Sequence, residues 1–181
     1  MIKPWKKISE EQLLKTPWFD ISKHTIERPD GSIFNDFYIR QHPPVVVIFG
    51  MTKENDVILI KEYKYGADSI VLGLPGGFAE KSDGDVKDSA LREFKEETGY
   101  IPQEIDYLDT LLTDPTSSNG KLHIFFATNC KDSGKQKLDH NEQIEVVKVP
   151  LSTLKTMLKN KEIRNITAVA VIHHVLSIKE L

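Results

Sequence analysis

The stretch that most constrains the fold runs from Gly76 to Tyr100 and reads GGFAEKSDGDVKDSALREFKEETGY. Its second half carries the signals of a helix with defined ends. Asp85 is placed to accept hydrogen bonds from the first free amide groups, and Asp88 follows at close to capping-box spacing. Gly99 supplies the left-handed residue that commonly ends a helix. We therefore predict one helix between Asp85 and Gly99.

This helix has two faces of different chemistry. The apolar stripe that would pack on a core consists of Val86, Ala90, Leu91, Phe94 and Thr98. Glu93, Glu96 and Glu97 stand at i, i+3 and i+4, so their carboxylates share a second face, roughly 110° around the helix from the stripe. The helix is thus able to pack on a core and still present three carboxylates to a cleft.

The three carboxylates alone are more typical of a solvated acidic face, and the loop in front of the helix turns the prediction toward a metal site. Like charges at this spacing repel, and the helix dipole disfavours anions near the C-terminus. Mg²⁺ would offset both effects, because it takes carboxylate oxygens and keeps water and substrate phosphate in its other positions. A solvated acidic face is the alternative. The loop Leu74–Gly77 favours the metal, since its glycines let a backbone carbonyl approach the same cleft.

The composition indicates one soluble domain, with at most a small appendage. The chain has 181 residues, of which 39% are hydrophobic and 28% charged. A formal net charge of −3 gives no sign of a nucleic-acid partner. No apolar stretch has the length of a signal peptide or a membrane span, so no membrane partner is expected. Cys130 is the only cysteine, which fits a reducing cytoplasm.

Residues 1–42 are predicted to form a small β unit, ahead of a main domain over residues 43–181. Strands are predicted at 18–21, 25–27 and 33–39. Three short strands bury little apolar surface alone, so the unit must pack on the main domain or on a second chain. His42-Pro43-Pro44 marks the boundary.

The main domain reads as α+β, with a mixed sheet between helices. Strands are predicted at 45–49, 57–63, 70–72, 105–112, 121–127 and 144–149. The segments 151–158 and 165–176 have helical spacing. A hairpin joins the first two strands through the polar turn at 52–55.

The run Arg92-Glu93-Phe94-Lys95-Glu96-Glu97-Thr98-Gly99 resembles the Nudix box, and every fixed position of its Arg-Glu-x-x-Glu-Glu-x-Gly half is matched. Tyr100 fills the bulky apolar place that follows. The pattern also has a glutamate eight residues before the arginine, but Gly84 stands there, between Asp83 and Asp85, in a loop one residue longer. Either Asp83 or Asp85 takes over the helix-anchoring role of that glutamate, or the loop is reshaped.

The order of elements and several weaker motifs resemble the ADP-ribose pyrophosphatase branch of the Nudix family. The resemblance implies an α/β/α sandwich plus the N-terminal β unit, which that branch exchanges between two subunits. It therefore implies a homodimer through residues 1–42, with Trp18 and Phe19, or Trp5, stacking on adenine. The alternative role of these aromatics is a hydrophobic anchor for the unit. Lys64 would meet a substrate phosphate, or be an exposed lysine at a strand end.

The same resemblance implies Mg²⁺ as the cofactor, with Mn²⁺ as a substitute, and a set of site residues. The metal ligands would be Glu93, Glu96, Glu97, Glu142 and the carbonyl of Gly76. Arg92 would orient the glutamates, and Glu96 would assist catalysis beside them. Either Glu142 or His140, which occupies the place of the branch's base, would take a proton from water.

The implied reaction is hydrolysis of a nucleoside diphosphate linked to another moiety. ADP-ribose is the leading substrate, with AMP and ribose 5-phosphate as products. Two alternatives stay open. One is a Nudix hydrolase for another nucleotide sugar, and the other is a nucleotide-binding module that has lost turnover.

Overall fold

Twelve strands and three α-helices form the protein in a computed structural model that describes all residues 1–181. The strands are β1 (Lys6–Lys15), β2 (Asp20–Glu27), β3 (Ile33–Gln41), β4 (Val45–Met51), β5 (Asp56–Lys64), β6 (Ser69–Gly73), β7 (Gly76–Phe78), β8 (Tyr100–Ile101), β9 (Glu104–Leu112), β10 (Lys121–Thr128), β11 (Lys131–Asp132) and β12 (Ile144–Pro150). The helices are α1 (Val86–Thr98), α2 (Leu151–Lys159) and α3 (Ile166–Ile178).

By its contacts the chain divides into two compact units. The first contains residues 1–44 together with 111–122, and the second contains residues 45–110 and 123–181. In the first unit, the loop after β9 is held by β3, because the backbone N–H of Arg40 donates to the carbonyl of Ser117 (2.8 Å). This loop was not assigned to the N-terminal unit from the sequence, since its partner strand lies some seventy residues earlier in the chain.

The N-terminal sheet differs in part from its prediction. It is antiparallel in the order β1-β2-β3, and β1 was not predicted at all. Every residue of β1 is exposed, so the strand lacks the alternation of apolar and polar residues that would reveal it. The predicted strand at 18–21 is wrong in its first half. Trp18 and Phe19 lie in the turn before β2, where their backbone N–H groups donate to Oγ1 of Thr16 (3.2 and 3.0 Å).

The second unit is built on a sheet in the order β12-β5-β4-β10-β9, with β6 paired to β5 and β7 paired to β4. The predicted hairpin of β4 and β5 is confirmed by the pairs Gly50 with Ile58 and Met51 with Val57. β12 lies antiparallel to β5 along its whole length, from Ile144 opposite Glu62 to Pro150 opposite Asp56. This pairing brings the segment before β12 to the end of β5.

Helices cover both faces of β4, which confirms the α+β fold with a mixed sheet. On one face, Ala90 and Phe94 of α1 are fully buried with Val46 and Ile48. The contact is close at Gly50, where a Cβ atom would lie 2.5 Å from the ring of Phe94. α3 also contacts β4, and its inward residues Ala168, Val171, Ile172 and Val175 are buried. None of the three helices has the length and apolar content needed to cross a membrane.

Candidate active site

Helix α1 begins and ends where the sequence predicts. The side chain of Asp85 accepts hydrogen bonds from the backbone N–H groups of Lys87 (2.8 Å) and Asp88 (2.9 Å). Gly99 ends the helix in the left-handed region at φ 72°, and its N–H donates to the carbonyl of Lys95 (2.8 Å). These two caps fix the length of α1 and so the direction in which its acidic face points.

Arg92 joins the loop before α1 to the acidic face of the helix. Its Nε and Nη2 atoms donate to the two carboxylate oxygens of Asp83 (2.9 and 3.0 Å). Its Nη1 atom lies 3.0 Å from Oε1 of Glu93 and 3.1 Å from Oε2 of Glu96. The hydrogen bonds from Arg92 lower the pKa of Asp83. Asp83 therefore takes the anchoring role that the sequence left open between Asp83 and Asp85.

The longer loop is accommodated at Gly84. This residue has φ 93°, a conformation that favours glycine, and a Cβ atom there would lie 3.0 Å from a carboxylate oxygen of Asp88. The extra residue is thus absorbed by one left-handed turn between Asp83, which binds Arg92, and Asp85, which caps the helix. The acidic face of α1 follows this turn without interruption.

The glycine loop lies directly against the carboxylates of α1. The backbone N–H of Gly76 donates to Oε2 of Glu97 (2.7 Å). Gly76 has φ 152°, and a Cβ atom there would lie 2.1 Å from the carbonyl oxygen of Val46, so only glycine fits. At Gly77, a Cβ atom would lie 2.6 Å from Oε1 of Glu93. The two glycines leave the space into which both glutamates turn.

Burial sets the protonation of these two glutamates. The side chain of Glu93 is 13% exposed, and Glu97 as a residue is 4% exposed. Loss of hydration raises the pKa of Glu93 to about 7 and that of Glu97 to about 8. The charges of neighbouring carboxylates, Glu142 among them, contribute to both raised pKa values, whereas Arg92 acts to lower the pKa of Glu93 and the N–H of Gly76 acts to lower that of Glu97.

A loop after β11 binds the C-terminal end of α1 and leads to Glu142. The backbone N–H of Lys137 donates to the carbonyl of Glu96 (2.9 Å), and that of Ser133 donates to the carbonyl of Gly99 (2.8 Å). The side-chain amide of Gln136 donates to the carbonyls of Glu97 (2.6 Å) and Ile144 (3.3 Å). Carbonyls that a helix end leaves unpaired are thereby satisfied.

Glu142 and His140 differ in their relation to this acidic face. Glu142 is partly buried, and its charge acts on both Glu93 and Glu97. Two hydrogen bonds between Asp139 and Glu142 close the turn that carries Glu142. The backbone N–H of Asp139 donates to Oε2 of Glu142 (3.0 Å), and the backbone N–H of Glu142 donates to the carbonyl of Asp139 (3.0 Å). His140 is exposed at the tip of that turn.

Glu62 is an acidic residue of this region that sequence reasoning missed. It lies on β5, where Ile58, Ile60, Glu62 and Lys64 alternate onto the face that packs on α1. Its side chain is 16% exposed, and Oε1 lies 2.7 Å from Nζ of Lys64. Its charge contributes to the raised pKa of Glu97. The alternation along β5 was available as a signal, because Glu62 follows two buried isoleucines at a spacing of two.

The aromatic residues proposed to bind adenine belong to the N-terminal unit. Trp18 is 61% exposed and Trp5 is 51% exposed, whereas Phe19 is partly buried. Trp5 packs edge-on against Phe37, with ring centroids 6.2 Å apart. Lys64, in contrast, lies in the second unit beside Glu62, with its side chain 53% exposed.

The acidic face has the donors that Mg²⁺ prefers, although no three of its side chains already surround one point. The carboxylates are instead held by cations and by the glycine loop: Arg92 contacts Glu93 and Glu96, and Lys137 lies 3.4 Å from Glu96. Carboxylate oxygens are hard ligands, and their mutual repulsion is relieved by a divalent cation. The space left open at Gly76 and Gly77 adjoins two of them. These residues therefore fit a bound divalent cation.

Comparison with known proteins supports the same interpretation. Residues 41–170 match the family model described as the NUDIX domain, and residues 5–39 match the nucleoside diphosphate sugar hydrolase N-terminal domain. The chain is similar to ADP-ribose pyrophosphatase of Bacillus subtilis (strain 168), with 26% identity over 159 residues, which cover 87% of this chain and 85% of that protein. It is also similar to ADP-sugar pyrophosphatase of Mus musculus, with 36% identity over 166 residues, which cover 83% and 75% of the two chains.

A solved structure supports the fold independently of sequence. The crystal structure of ADP compounds hydrolase superposes with a TM-score of 0.80 at 21% identity, and the match covers 99% of this chain and 97% of that one. At this identity the likeness is one of fold. Together with the matched box on α1 and the family model over residues 41–170, it shows that the chain belongs to the Nudix family and is a Nudix pyrophosphohydrolase.

Proposed function

We propose that the protein hydrolyses a nucleoside diphosphate linked to another moiety with the help of Mg²⁺, and that ADP-ribose is its substrate. The products would be AMP and ribose 5-phosphate. The observation that carries this proposal is the pair of buried glutamates, Glu93 and Glu97, whose carboxylates turn into the space left open by Gly76 and Gly77. Burial raises the pKa of both carboxyl groups, and a divalent cation beside them would favour their charged forms.

Each residue of the site then has a role of its own. Glu93, Glu97, Glu96, Glu142 and the carbonyl of Gly76 would hold the cation. When bound, Mg²⁺ supplies charge neutralisation on the pyrophosphate and polarises an attacking water. Arg92, fixed by both oxygens of Asp83, keeps Glu93 and Glu96 oriented toward the cleft.

Glu142 is our choice for the general base, with His140 as the alternative. The charge of Glu142 acts on both buried glutamates, so its carboxylate lies near the place where the cation and the attacking water would be. A carboxylate there would accept the proton of the water and pass it to solvent, because Glu142 is only partly buried. His140 has the exposed position at the tip of the same turn. Lys64 would pair with a phosphate of the substrate.

The comparisons support ADP-ribose, and one of them favours a second candidate. The relatives from Bacillus subtilis and Mus musculus are an ADP-ribose pyrophosphatase and an ADP-sugar pyrophosphatase. The N-terminal residues match a family model described for nucleoside diphosphate sugar hydrolases, which favours another nucleotide sugar as the alternative substrate. A binding module without turnover is disfavoured by the complete set of Glu93, Glu96, Glu97 and Arg92.

The N-terminal unit, residues 1–42, would join two chains into a homodimer and supply an aromatic contact to the substrate. This unit exposes large apolar side chains, in its sheet and beside it, that a monomer would leave in water: Trp5, Ile8, Leu13, Leu14, Trp18, Ile33, Phe34 and Tyr38. Trp18, with Phe19 beside it, is the candidate that would stack on the base. A reducing compartment such as the cytoplasm suits the chain, because its single cysteine, Cys130, is buried and free.

A hydrolysis panel tests the proposal. The full chain is incubated with ADP-ribose, ADP-glucose, GDP-mannose, NADH and ATP, each with Mg²⁺, with Mn²⁺ and with EDTA, and the products are separated by ion-exchange chromatography. We expect ADP-ribose to give the highest kcat/KM and AMP to appear only with a divalent cation. Preference for another nucleotide sugar would select the second candidate. No turnover of any compound with either metal would contradict the enzymatic proposal.

A further inference from the structure

Glu62 and Lys64 form an ion pair at the end of β5, on the face that packs on α1. Oε1 of Glu62 lies 2.7 Å from Nζ of Lys64. The side chain of Glu62 is only 16% exposed, whereas that of Lys64 is 53% exposed. The neighbouring positions, Lys61 and Tyr63, alternate to the opposite face of the sheet. The pair therefore borders the acidic face of α1 and not the outer side of β5.

The charge of Glu62 reaches the site. It is one of the charges that raise the pKa of Glu97, after burial and Glu93. On the paired strand, Glu62 stands opposite Ile144, the second residue after Glu142. Glu62 thus lies on the strand that pairs with β12 and on the face of β5 that packs on α1, and it adds a further carboxylate to the surroundings of Glu97.

Three cationic side chains lie beside these carboxylates. The three cations differ in the number of their partners and in their exposure. Arg92 is fixed by both oxygens of Asp83 and contacts Glu93 and Glu96. Lys137 is largely exposed and lies 3.4 Å from Glu96. Lys64 has Glu62 as its one ion-pair partner and is half exposed at the end of its strand. A lysine on a flexible four-carbon stem is able to change partners at small cost.

We propose that Glu62 and Lys64 act as an exchange pair: Glu62 holds Lys64 while the site is free of metal, turns to the cation when Mg²⁺ binds, and so releases Lys64 to the pyrophosphate of the substrate. This inference rests on the proposed function, because it needs a metal site at Glu93 and Glu97. Glu62 is a positioning residue in this account, and Lys64 is the group that touches the substrate.

The physical basis is competition between two cations for one carboxylate. An ammonium carries one charge and is strongly hydrated, whereas Mg²⁺ carries two and takes carboxylate oxygens directly. Metal binding and phosphate binding then support each other, because Lys64, once released from Glu62, is free to pair with the phosphate. Removal of the charge of Glu62 should consequently weaken Mg²⁺ binding, whereas removal of the charge of Lys64 should strengthen it.

Isothermal titration of the full chain with MgCl₂, in the absence of nucleotide, tests this. We expect Glu62→Gln to weaken Mg²⁺ binding by about 10- to 100-fold, as is typical for residues that support a metal site. We expect Lys64→Met to tighten it several-fold, because the Glu62 carboxylate is then free for the cation and a like charge is removed from its surroundings. The matched controls are Glu145→Gln and Lys61→Met, which break the ion pair on the opposite face of the same two strands (3.8 Å) and should leave Mg²⁺ affinity within twofold of wild type.

Steady-state kinetics with ADP-ribose give an independent readout. Lys64→Met should raise KM while kcat at saturating Mg²⁺ stays within a few-fold of wild type, and Glu62→Asp should recover part of the Mg²⁺ affinity that Glu62→Gln loses. Equal Mg²⁺ affinity of Glu62→Gln and Glu145→Gln would overturn the exchange pair, as would weaker Mg²⁺ binding in Lys64→Met than in Lys61→Met. If wild type itself bound no Mg²⁺, the proposed function would fail, and this inference with it.

Discussion

At the scale of single residues, the question is which side chain, Glu142 or His140, would accept the proton of the attacking water. Glu142 and His140 lie two positions apart in one turn, but only the carboxylate has a charge that acts on Glu93 and Glu97. The imidazole is exposed at the tip of the turn. Proximity to the reacting water matters more for a general base than its ordinary pKa does.

We therefore expect Glu142→Gln to lower kcat by about 10²- to 10⁴-fold, the usual effect of removing a general base. His140→Ala should leave kcat and KM nearly unchanged, and it serves as the matched control in the same turn. Both variants are measured with saturating Mg²⁺ across pH 5 to 9, so that a loss of metal affinity is not mistaken for a loss of the base. A large rate loss in His140→Ala with unchanged Mg²⁺ affinity would transfer the role to the histidine.

The sequence predicts the residues of α1 well and those of neighbouring elements poorly. Glu93, Glu96 and Glu97 share a face because helical spacing is fixed, and the caps at Asp85 and Gly99 follow from local hydrogen bonding. Which aspartate binds Arg92, Asp83 or Asp85, depends on the path of the loop through Gly84, and residue spacing does not predict that path. Glu62 was missed because its nearness to Glu97 arises from packing between β5 and α1.

At the scale of elements, the loop before α1 and the loop after β11 hold the helix from both ends. The first is tied through Asp83 and Arg92, and the second through Ser133, Gln136 and Lys137. The side chains that would bind metal lie between these attachments. The position of the acidic face is thus set by two loops as much as by the sheet beneath it.

Asp83→Asn tests the first attachment. An asparagine cannot offer Arg92 two charged oxygens, so Arg92 should lose its fixed orientation and Glu93 with it. We expect kcat/KM to fall by about 10- to 100-fold, the range for residues that orient metal ligands. Asp88→Asn is the control, because Asp88 lies in the first turn of the same helix and is exposed. Activity of Asp83→Asn equal to that of Asp88→Asn would show that the anchor is dispensable.

Strands were predictable from sequence where apolar residues form a run or alternate with polar ones. β4 and β12 have apolar runs or alternation and were found, whereas β1 is exposed along its whole length and was not. The pairing of the loop at 113–120 with Arg40 also escaped prediction. It joins residues far apart in the chain through backbone hydrogen bonds, which carry no signature in the side chains.

At the scale of the whole molecule, the buried glutamates make stability depend on pH in a definite direction. The folded-state pKa values of Glu93 and Glu97, about 7 and about 8, lie above the unfolded value of 4.5. Between these pH values the folded state therefore binds more protons than the unfolded state, so the free energy of unfolding falls as pH rises from about 4.5 to about 8.

Urea denaturation in EDTA at pH 5, 6.5 and 8 should show this decline, and added Mg²⁺ should reduce it because the cation replaces the bound protons. Glu97→Gln is the control for other titrating groups, since it removes one of the two shifted carboxylates and should flatten the profile. Stability in EDTA that increases steadily between pH 5 and 8, with the same slope in Glu97→Gln, would contradict the burial of these charges.

The exposed apolar side chains of the N-terminal sheet lead us to expect a homodimer. Light scattering at micromolar concentration should give twice the mass of the chain. Ile33→Asp places a charge on β3 at a residue that is 63% exposed and should produce monomers. Ile166→Asp, at a residue that is 83% exposed in the other unit, should leave the dimer intact. A monomeric wild type, or a dimer that survives Ile33→Asp unchanged, would count against dimerisation through this sheet.

The central claim is that the carboxylates of α1 bind the metal that catalyses pyrophosphate hydrolysis, and Glu97→Gln tests it most directly. The glutamine keeps the size of the side chain and an oxygen to accept from the N–H of Gly76, while it removes the charge. We predict that the variant retains the circular dichroism spectrum and melting cooperativity of wild type but loses Mg²⁺-dependent turnover of ADP-ribose. Activity within a few-fold of wild type at the same Mg²⁺ concentration would contradict the proposed metal site.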